Sequence, residues 1–366
     1  MTKEVITERQ GIGLVAMLII GTSAIYTLAF EAGRDLWIAN ILSIGMAFII
    51  GLICAKINRI FPGKDLYEIL EICFGNVIGK IISILYTWYF IHDAAEIARN
   101  YSTFVTTVSI PETPFIIIVM FLVLLCTFVI RDGIETLSKV NEVFIIVFIF
   151  FVLIGAILLL PKIHPENIKP VLYNGMRPVL KGAFSAFSFP FGELVIFITV
   201  FSHLRNVDSS TKIYSFGLLL GGIILIIISI FDLLVLGVSN ALVELYPSYS
   251  TFAKIDIGNF LQRLEIISAI FFSLGTFIKL SIYLLVACRG ITGIFKLSEY
   301  RSIVTVVALN IVNLSYAMYD GTLEYFEWSH EIWPYYSALF QIVLVIILLS
   351  VSFIKGKNKN LVRRSI

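Results

Sequence analysis

One apolar segment carries a proline, a glycine and a carboxylate together, in Phe189-Pro190-Phe191-Gly192-Glu193. Pro190 has no N–H to donate to the carbonyl of Ala186, and its ring clashes with that turn of a helix. Gly192 adds backbone freedom two residues later. The motif therefore predicts an unwound helix with free backbone groups beside Glu193, which favours a ligand or ion site. The alternative is a proline kink whose Glu193 hydrogen-bonds a neighbouring helix.

A second interruption lies near the middle of the first apolar segment, at Gly21-Thr22-Ser23. Taken alone, these small residues indicate close helix packing. Paired with the break at Pro190, they also fit a site in which amides at a helix N-terminus hold the carboxylate of an amino acid.

Ionisable side chains also occur deep inside two other apolar segments. His92 and Glu96 are spaced i,i+4, and Glu96 and Arg99 are spaced i,i+3, so each pair can meet on one helix face. Intramembrane charges are costly and by default indicate a pathway or a site. The alternative is a Glu96–Arg99 pair that neutralises itself and holds two helices together.

Lys279 occupies the other segment, together with Ser273, Thr276 and Ser281. It needs a carboxylate partner, for which Glu193 and Glu96 are the candidates. We therefore predict an intramembrane charge network of Asp93, Glu96, Arg99, Glu193 and Lys279.

Motifs for catalysis and cofactors are missing from the sequence. It contains no phosphate-binding glycine loop, no His/Cys set with metal-ligand spacing and no plausible nucleophile–base pair. A net charge of +2 gives no indication of a nucleic-acid partner. We expect no enzyme activity, no metal and no cofactor.

The composition indicates that these residues are carried by transmembrane helices. Of the 366 residues, 58% are hydrophobic and 14% are charged, against about 45–50% and about 25% in soluble domains. Apolar runs near 20 residues long, enough to cross a hydrocarbon core of about 30 Å, recur along the chain. The pattern predicts an all-α polytopic membrane protein and excludes a soluble enzyme, a nucleic-acid-binding protein and a disordered scaffold.

Ten spans are predicted within a single transmembrane domain, residues 1–366. They are Gly11–Phe30, Leu36–Ala55, Val77–Ile110, Thr113–Ile130, Asn141–Leu160, Gly182–His203, Thr211–Leu234, Gln262–Ile294, Arg301–Tyr319 and Trp333–Ile354. Asp65–Phe74 is predicted to be a short interfacial helix, Pro161–Lys181 and Ser239–Leu261 to be the longer outside loops, and 355–366 to be a basic cytoplasmic tail. The charged N-terminus and the full length of the first span predict no cleavable signal peptide.

The spans form two sets of five. In each set the first member carries a helix breaker and the third is unusually long, which is the pattern of an inverted repeat, here about 11–160 and about 182–354. Placing both termini in the cytoplasm puts 18 Lys and Arg inside and seven outside, so the positive-inside rule favours that orientation.

The chain resembles the spore germination permease family, the B subunits of nutrient germinant receptors, within the amino acid–polyamine–organocation superfamily. The resemblance covers Ile12 to about Lys355. It rests on Phe187-Ser188-Phe189-Pro190-Phe191-Gly192-Glu193-Leu194, on the loop from Tyr246-Pro247 to Phe260-Leu261-Gln262-Arg263-Leu264-Glu265, and more weakly on Gly11-Ile12-Gly13 leading into Gly21-Thr22.

The resemblance implies a leucine-transporter-type 5+5 fold, with broken helices 1 and 6, in the inner membrane of the spore. It implies A and C partner subunits and a small nutrient ligand, an amino acid or nucleoside. Carried over, the ligand-binding residues are Gly21, Thr22, Ser23, Phe189, Pro190, Phe191, Gly192 and Glu193, with Tyr101 and Thr276 facing the same centre. Lys279, near the region where related transporters place sodium, argues against sodium coupling.

Two functions remain open from the sequence. The first is a receptor in which nutrient binding shifts a two-state equilibrium that partner subunits read. The second is a proton-coupled amino acid transporter that uses the same site. An ion pore is a weaker hypothesis, because the buried charges are mixed in sign and do not form rings.

Overall fold

The chain is all-helical in a computed structural model that describes residues 4–256 and 263–363, with side chains to residue 355. Fourteen α-helices are separated by turns and short 3₁₀ or π segments in these residues. They are α1 (Glu8–Ile20), α2 (Leu36–Ile60), α3 (Leu66–Val108), α4 (Phe115–Asp132), α5 (Ile134–Leu159), α6 (Met176–Ser188), α7 (Phe197–Val200), α8 (Ser210–Val243), α9 (Pro247–Phe252), α10 (Glu265–Phe295), α11 (Val304–Ala317), α12 (Thr322–Glu327), α13 (Trp333–Ala338) and α14 (Leu344–Arg363).

Eight helical stretches among the described residues are long and apolar enough to cross a membrane. They are Phe30–Ile60, Leu66–Val108, Phe115–Asp132, Ile134–Lys162, Met176–His203, Val207–Val243, Glu265–Phe295 and Thr322–Lys355. The prediction of a polytopic membrane protein is confirmed, whereas ten full-length spans are not. Predicted spans 1 and 9 are the short helices α1 and α11, because α1 ends at the Gly21 break and α11 ends before Asp320-Gly321.

The predicted helix Asp65–Phe74 is present as the first part of α3, and its interfacial location stays a prediction. Its N-terminus is capped by the Asp65 side chain, which accepts from the Glu68 amide, while the Glu68 side chain accepts from the Asp65 amide. Gly75 then adopts φ +79°, which separates this segment from the long apolar part of α3. A residue with a side chain rarely adopts this φ, so glycine marks the bend.

Several predicted boundaries differ from the structure. Helix α8 continues past Leu234 to Val243 with a bend at Gly237, and α9 lies within the predicted loop Ser239–Leu261. The end of that loop, 257–261, and Gln262 at the start of predicted span 8 lie outside the described residues. In the predicted tail the backbone is helical to Arg363 in α14, and 364–366 lie outside the described residues.

The two ends of the helices define two faces. The terminal face carries Ile6, which forms an isolated parallel bridge with Leu204, and Glu4, whose carboxylate binds Arg301. The far face carries the chain around His164, whose amide donates to the Leu234 carbonyl, and the segments that flank α9.

The broken stretch Met176–His203 lies inside the helix bundle. Its most apolar window is 83% buried, against 28% for the window of Ile134–Lys162. Irregular backbone at membrane depth is tolerated only where protein or a wet cavity surrounds it. The fold therefore places the proline break where its free backbone groups can be satisfied.

Candidate functional site

The helix break at Pro190 is present as predicted. Helix α6 ends at Ser188, Phe189 is extended at φ −150°, and a 3₁₀ segment follows from Phe191 to Ile196 before α7. The break arises because proline can neither donate to the preceding turn nor fit against it. All six residues of the 3₁₀ segment are buried, so Glu193 is held inside the protein.

Gln341 satisfies the backbone that this break leaves open. Its Nε2 donates to the Ser188 carbonyl at 3.0 Å and to the Tyr89 hydroxyl at 3.0 Å. A Cβ at Gly192 would overlap Gln341 Oε1 and lie 2.8 Å from the Phe187 carbonyl, so only glycine fits there. The sequence analysis missed Gln341, although an isolated amide in an apolar stretch of the last span was a usable signal.

The first helix also breaks where the sequence predicts it. Helix α1 ends at Ile20, and a turn follows through Tyr26. A Cβ at Gly21 would lie 2.8 Å from the Gly275 carbonyl of α10, so the two backbones are in close contact. Gly21 therefore has the packing role that was its alternative interpretation, and a ligand contact by this residue stays a prediction.

Lys279 and Glu193 form an ion pair in the protein interior. Lys279 Nζ lies 2.9 Å from Glu193 Oε1 and 2.7 Å from Oε2, and neither side chain is exposed. The ammonium also lies 4.6 Å from the centre of the Phe189 ring. The structure thus selects Glu193 over Glu96 as the partner of Lys279, and Glu193 does bind a neighbouring helix.

Asp93 adds a second carboxylate beside this pair. It is 3% exposed, and its charge interacts with those of Glu193 and Lys279. Its Oδ2 atom has no hydrogen-bond partner within 3.5 Å among the described residues, although the Tyr283 hydroxyl interacts with the carboxylate. One cation therefore serves two buried carboxylates.

The predicted alternative of a Glu96–Arg99 pair is wrong. Glu96 accepts from the Tyr319 hydroxyl at 2.6 Å and lies 3.7 Å from His92 Nδ1. Arg99 Nη1 donates to the Ser315 carbonyl at 3.0 Å, in the last turn of α11. The two side chains find separate partners because the C-terminal end of α11 presents carbonyls, which a cation stabilises.

A cavity of about 520 Å³ opens on the far face and reaches both helix breaks. Of the ten residues predicted to bind ligand, it is lined by Thr22 and Phe189, and of the predicted charge network by Asp93 and Glu96. Further lining residues that the sequence analysis missed include Tyr26, Asn100, Tyr325 and Trp333.

The remaining eight predicted ligand residues lie outside the cavity lining: Gly21, Ser23, Tyr101, Pro190, Phe191, Gly192, Glu193 and Thr276. Thr276 donates to the Phe272 carbonyl of its own helix at 2.8 Å, and Tyr101 packs with its ring centre 6.1 Å from that of Phe272. Pro190 and Gly192 belong to the backbone of the break, and the Gln341 side chain packs against Gly192.

The chain matches a known protein family over most of its length. The sequence pattern of the family described as "Spore germination protein" matches residues 5–322. The chain belongs to the spore germination protein family. Spore germination protein KB of Bacillus subtilis is 28% identical over 98% of this chain and 97% of its own length. Spore germination protein XB of Bacillus anthracis is 23% identical over 87% of this chain and 91% of its own length.

A solved structure confirms the transporter-type fold of this family member. The nucleobase-cation-symport-1 family transporter Mhp1, in a closed conformation with bromovinylhydantoin bound, superposes with a TM-score of 0.69. The match covers 95% of this chain and 78% of Mhp1 at 13% identity, so it establishes the fold alone.

Proposed function

We propose that this chain is the nutrient-sensing membrane subunit of a spore germinant receptor. It binds a small nutrient, an amino acid or nucleoside, in the far-face cavity. The observation that carries the proposal is that one cavity of about 520 Å³ contacts both helix breaks, at Thr22 and Phe189, and the buried charge cluster at Asp93. A volume of this order suits a small molecule.

The proposed topology extends the eight helical stretches that are long enough to cross a membrane to ten spans. Helices α1 and α11, with the turns that follow them, complete two inverted sets of five, about 11–160 and about 182–354. Both termini lie in the cytoplasm, and the protein lies in the inner membrane of the spore beside A and C subunits. The family membership and the excess of Lys and Arg on the terminal face support this arrangement.

Signalling by such a subunit needs a ligand that binds one conformation better than another. The cavity walls come from both broken helices and from α3, so a ligand there contacts elements that can move relative to one another. A closed state would gain contacts from Tyr325 and Trp333 near the far face. Partner subunits would then read the shift in population.

A proton-coupled amino acid transporter is the second candidate function. The buried cluster of Asp93, Glu193 and Lys279 favours it, because intramembrane carboxylates beside a lysine are suited to carrying a proton. The fold shared with Mhp1 is compatible with both functions.

Purified protein in sealed liposomes separates these functions. A panel of tritiated amino acids and inosine is added with and without a pH gradient, and retained label is measured before and after permeabilisation. A receptor gives saturable label that stays with the protein and never accumulates. Label that accumulates with the gradient and escapes on permeabilisation would establish transport, and no binding at all would contradict both functions.

A further inference from the structure

A buried polar atom with no hydrogen-bond partner within 3.5 Å among the described residues occurs on four residues that line the far-face cavity: Thr22, Glu31, Asp93 and Trp333. The two least exposed of these residues are Asp93, whose Oδ2 lacks a partner and which is 3% exposed, and Thr22, whose Oγ1 lacks one and which is 0% exposed. Both residues line the cavity. A buried acceptor without a partner destabilises the protein, and the cost is larger for a charged group. A molecule in the cavity is therefore the natural source of the missing partners.

Two buried cations of the bundle, Lys279 and Arg99, already have partners of their own. Lys279 is within 2.9 Å of both Glu193 oxygens, and Arg99 donates to the Ser315 carbonyl of α11. Asp93 itself forms no ion pair within 4.0 Å among the described residues. The cluster of Asp93, Glu193 and Lys279 thus has two carboxylates and one cation.

Acidic residues outnumber basic residues on the lining of the cavity. The acidic lining residues are Glu31, Asp93, Glu96, Glu244 and Glu331, whereas the basic ones are Lys181 and His330. A cleft lined by one sign of charge concentrates molecules of the opposite sign. The cavity therefore favours a ligand with a positively charged group.

We infer that the Asp93 carboxylate accepts a protonated amino group of the ligand, so that the cavity selects amine-bearing nutrients, amino acids above all, over nucleosides and sugars. The Thr22 hydroxyl then hydrogen-bonds a second polar group of the same molecule. This inference rests on the proposed function, because it concerns the same cavity.

An ammonium group suits this wall better than a metal ion does. Among the described residues no group of three His, Cys, Asp or Glu side chains is placed to hold a metal, and hard cations prefer six or more oxygen ligands. Aromatic rings of Tyr26, Phe189 and Trp333 line the same cavity, and such rings attract organic cations. A neutral nucleoside would leave Asp93 sharing the single Lys279 ammonium with Glu193.

The test begins with the unmodified protein in lipid nanodiscs. Equilibrium binding of tritiated L-alanine, L-leucine, L-asparagine, L-lysine and inosine identifies a bound compound. For a bound amino acid, the matched competitor is the 2-hydroxy acid with the same side chain, since it differs only in carrying a hydroxyl group in place of the amino group. We expect the hydroxy acid to compete at least tenfold more weakly, because a hydrogen bond to a charged group is lost.

Asp93→Asn then removes the charge and keeps the shape. We expect at least a tenfold loss of affinity for the amino acid. The matched control is Asp35→Asn, a buried far-face aspartate outside the cavity lining that accepts from the Leu172 amide. An asparagine oxygen can still accept there, so binding should be unchanged. If Asp93→Asn does not fold, the hydroxy-acid comparison on the unmodified protein decides alone.

Each outcome separates this inference from the proposed function. An amino acid that binds equally well to Asp93→Asn, or a hydroxy acid that competes equally, would overturn the role of Asp93 and leave nutrient binding intact. Binding of inosine without any amino acid would do the same. Displacement by potassium chloride, but not by choline chloride at equal ionic strength, would assign Asp93 to an inorganic cation. If the unmodified protein binds none of the panel, the proposed function fails and the inference with it.

Discussion

Individual side chains near the Pro190 break provide partners for the polar groups that the broken helix leaves inside the bundle. Gln341 donates to the freed Ser188 carbonyl, and Gly192 leaves space for the Gln341 side chain. Lys279 neutralises Glu193, which the 3₁₀ segment carries into the core. Each residue is thus explained by a specific partner from another part of the chain.

The buried ion pair gives the first prediction. Glu193→Gln removes the carboxylate that contacts the Lys279 ammonium directly and should lower the free energy of unfolding by about 3–5 kcal/mol. Lys279→Met leaves Glu193 and Asp93 facing one another and should cost at least as much. SDS-titrated unfolding in mixed micelles, followed by tryptophan fluorescence, measures both losses.

The double variant Glu193→Gln/Lys279→Met tests the contact directly. It should lose less than the sum of the two single variants, because neither change then leaves its partner charge unpaired. Losses that simply add would show that the two side chains do not interact in the membrane.

Gly192 gives the second prediction. A leucine there must displace Gln341 and press on the Phe187 carbonyl, so we expect Gly192→Leu to abolish ligand binding while the protein still inserts in the membrane. Gly45→Leu is the matched control, since a Cβ at Gly45 meets nothing within 4 Å and the position is exposed on α2. Membrane-fraction yield and ligand titration are measured for both, and an unchanged dose dependence in Gly192→Leu would reject the site.

Among the helices, the C-terminal end of α11 receives hydrogen bonds from a charged side chain of another helix. Arg99 reaches from α3 to the last turn of α11, where the Ser315 and Tyr316 carbonyls lack partners within their own helix. The guanidinium also lies 5.2 Å from the Tyr319 ring centre. A buried cation in α3 therefore stabilises the end of another helix.

The third prediction concerns this helix end. Arg99→Met should destabilise the protein by about 1.5–3 kcal/mol, because the carbonyls of α11 lose a charged donor. Hydrogen exchange should accelerate locally in residues near 312–318. Arg177→Met, at an exposed position in α6, is the control and should change neither quantity. Uniform exchange across the protein would argue against a local role.

The bend in α3 gives the fourth prediction. At Gly75 the backbone has φ +79° and ψ 178°, a region open almost only to glycine, and a Cβ there meets nothing within 4 Å. Gly75→Ala should therefore cost about 1–3 kcal/mol from backbone strain alone. Gly45→Ala, in a regular helix, should be neutral or stabilising. Thermal unfolding in detergent compares them, and equal melting temperatures would mean that α3 can straighten without cost.

For the whole molecule, the two faces of the bundle differ in the contacts that hold the helix ends together. The far-face cavity is open, whereas the N-terminal segment lies across the terminal face, with Glu4 bound to Arg301 at 2.6 Å and Ile6 paired to Leu204. Tyr300 also donates to Glu4 at 3.1 Å. These contacts hold the terminal ends of the helices together.

The fifth prediction follows from that clamp. Arg301→Met should raise the rate at which a water-soluble maleimide labels Ser202→Cys by about two- to fivefold, because the lost pair is partly exposed and worth about 0.2–1 kcal/mol. Ser202 lines a second cavity on the terminal face, and the four native cysteines are buried. Lys139→Met, which breaks an exposed pair within α5, is the control. Equal labelling in both variants would show that the clamp does not close this face.

The membrane class, the family and the two helix breaks can be predicted from the amino-acid sequence alone. Long apolar runs can satisfy their backbone only as helices in lipid, and Pro190 breaks a helix wherever it stands. The sequence also singled out Glu193, Lys279 and Asp93, because buried charges are rare in such runs whatever the fold.

Which of these residues contact each other, and which line the cavity, depends on the packing of the helices. Lys279 could have paired with Glu193 or Glu96, and the choice depends on how α3, the broken helix and α10 pack, which involves residues far apart in the chain. The hydrogen-bond partners of Gln341 and Tyr319 are also far away in the chain, so no local sequence pattern predicts them. Helix periodicity fixes the neighbours on one helix face but not the rotation of that helix against another, and that rotation places Asp93 and Thr22, rather than Glu193 and Gly192, on the cavity wall.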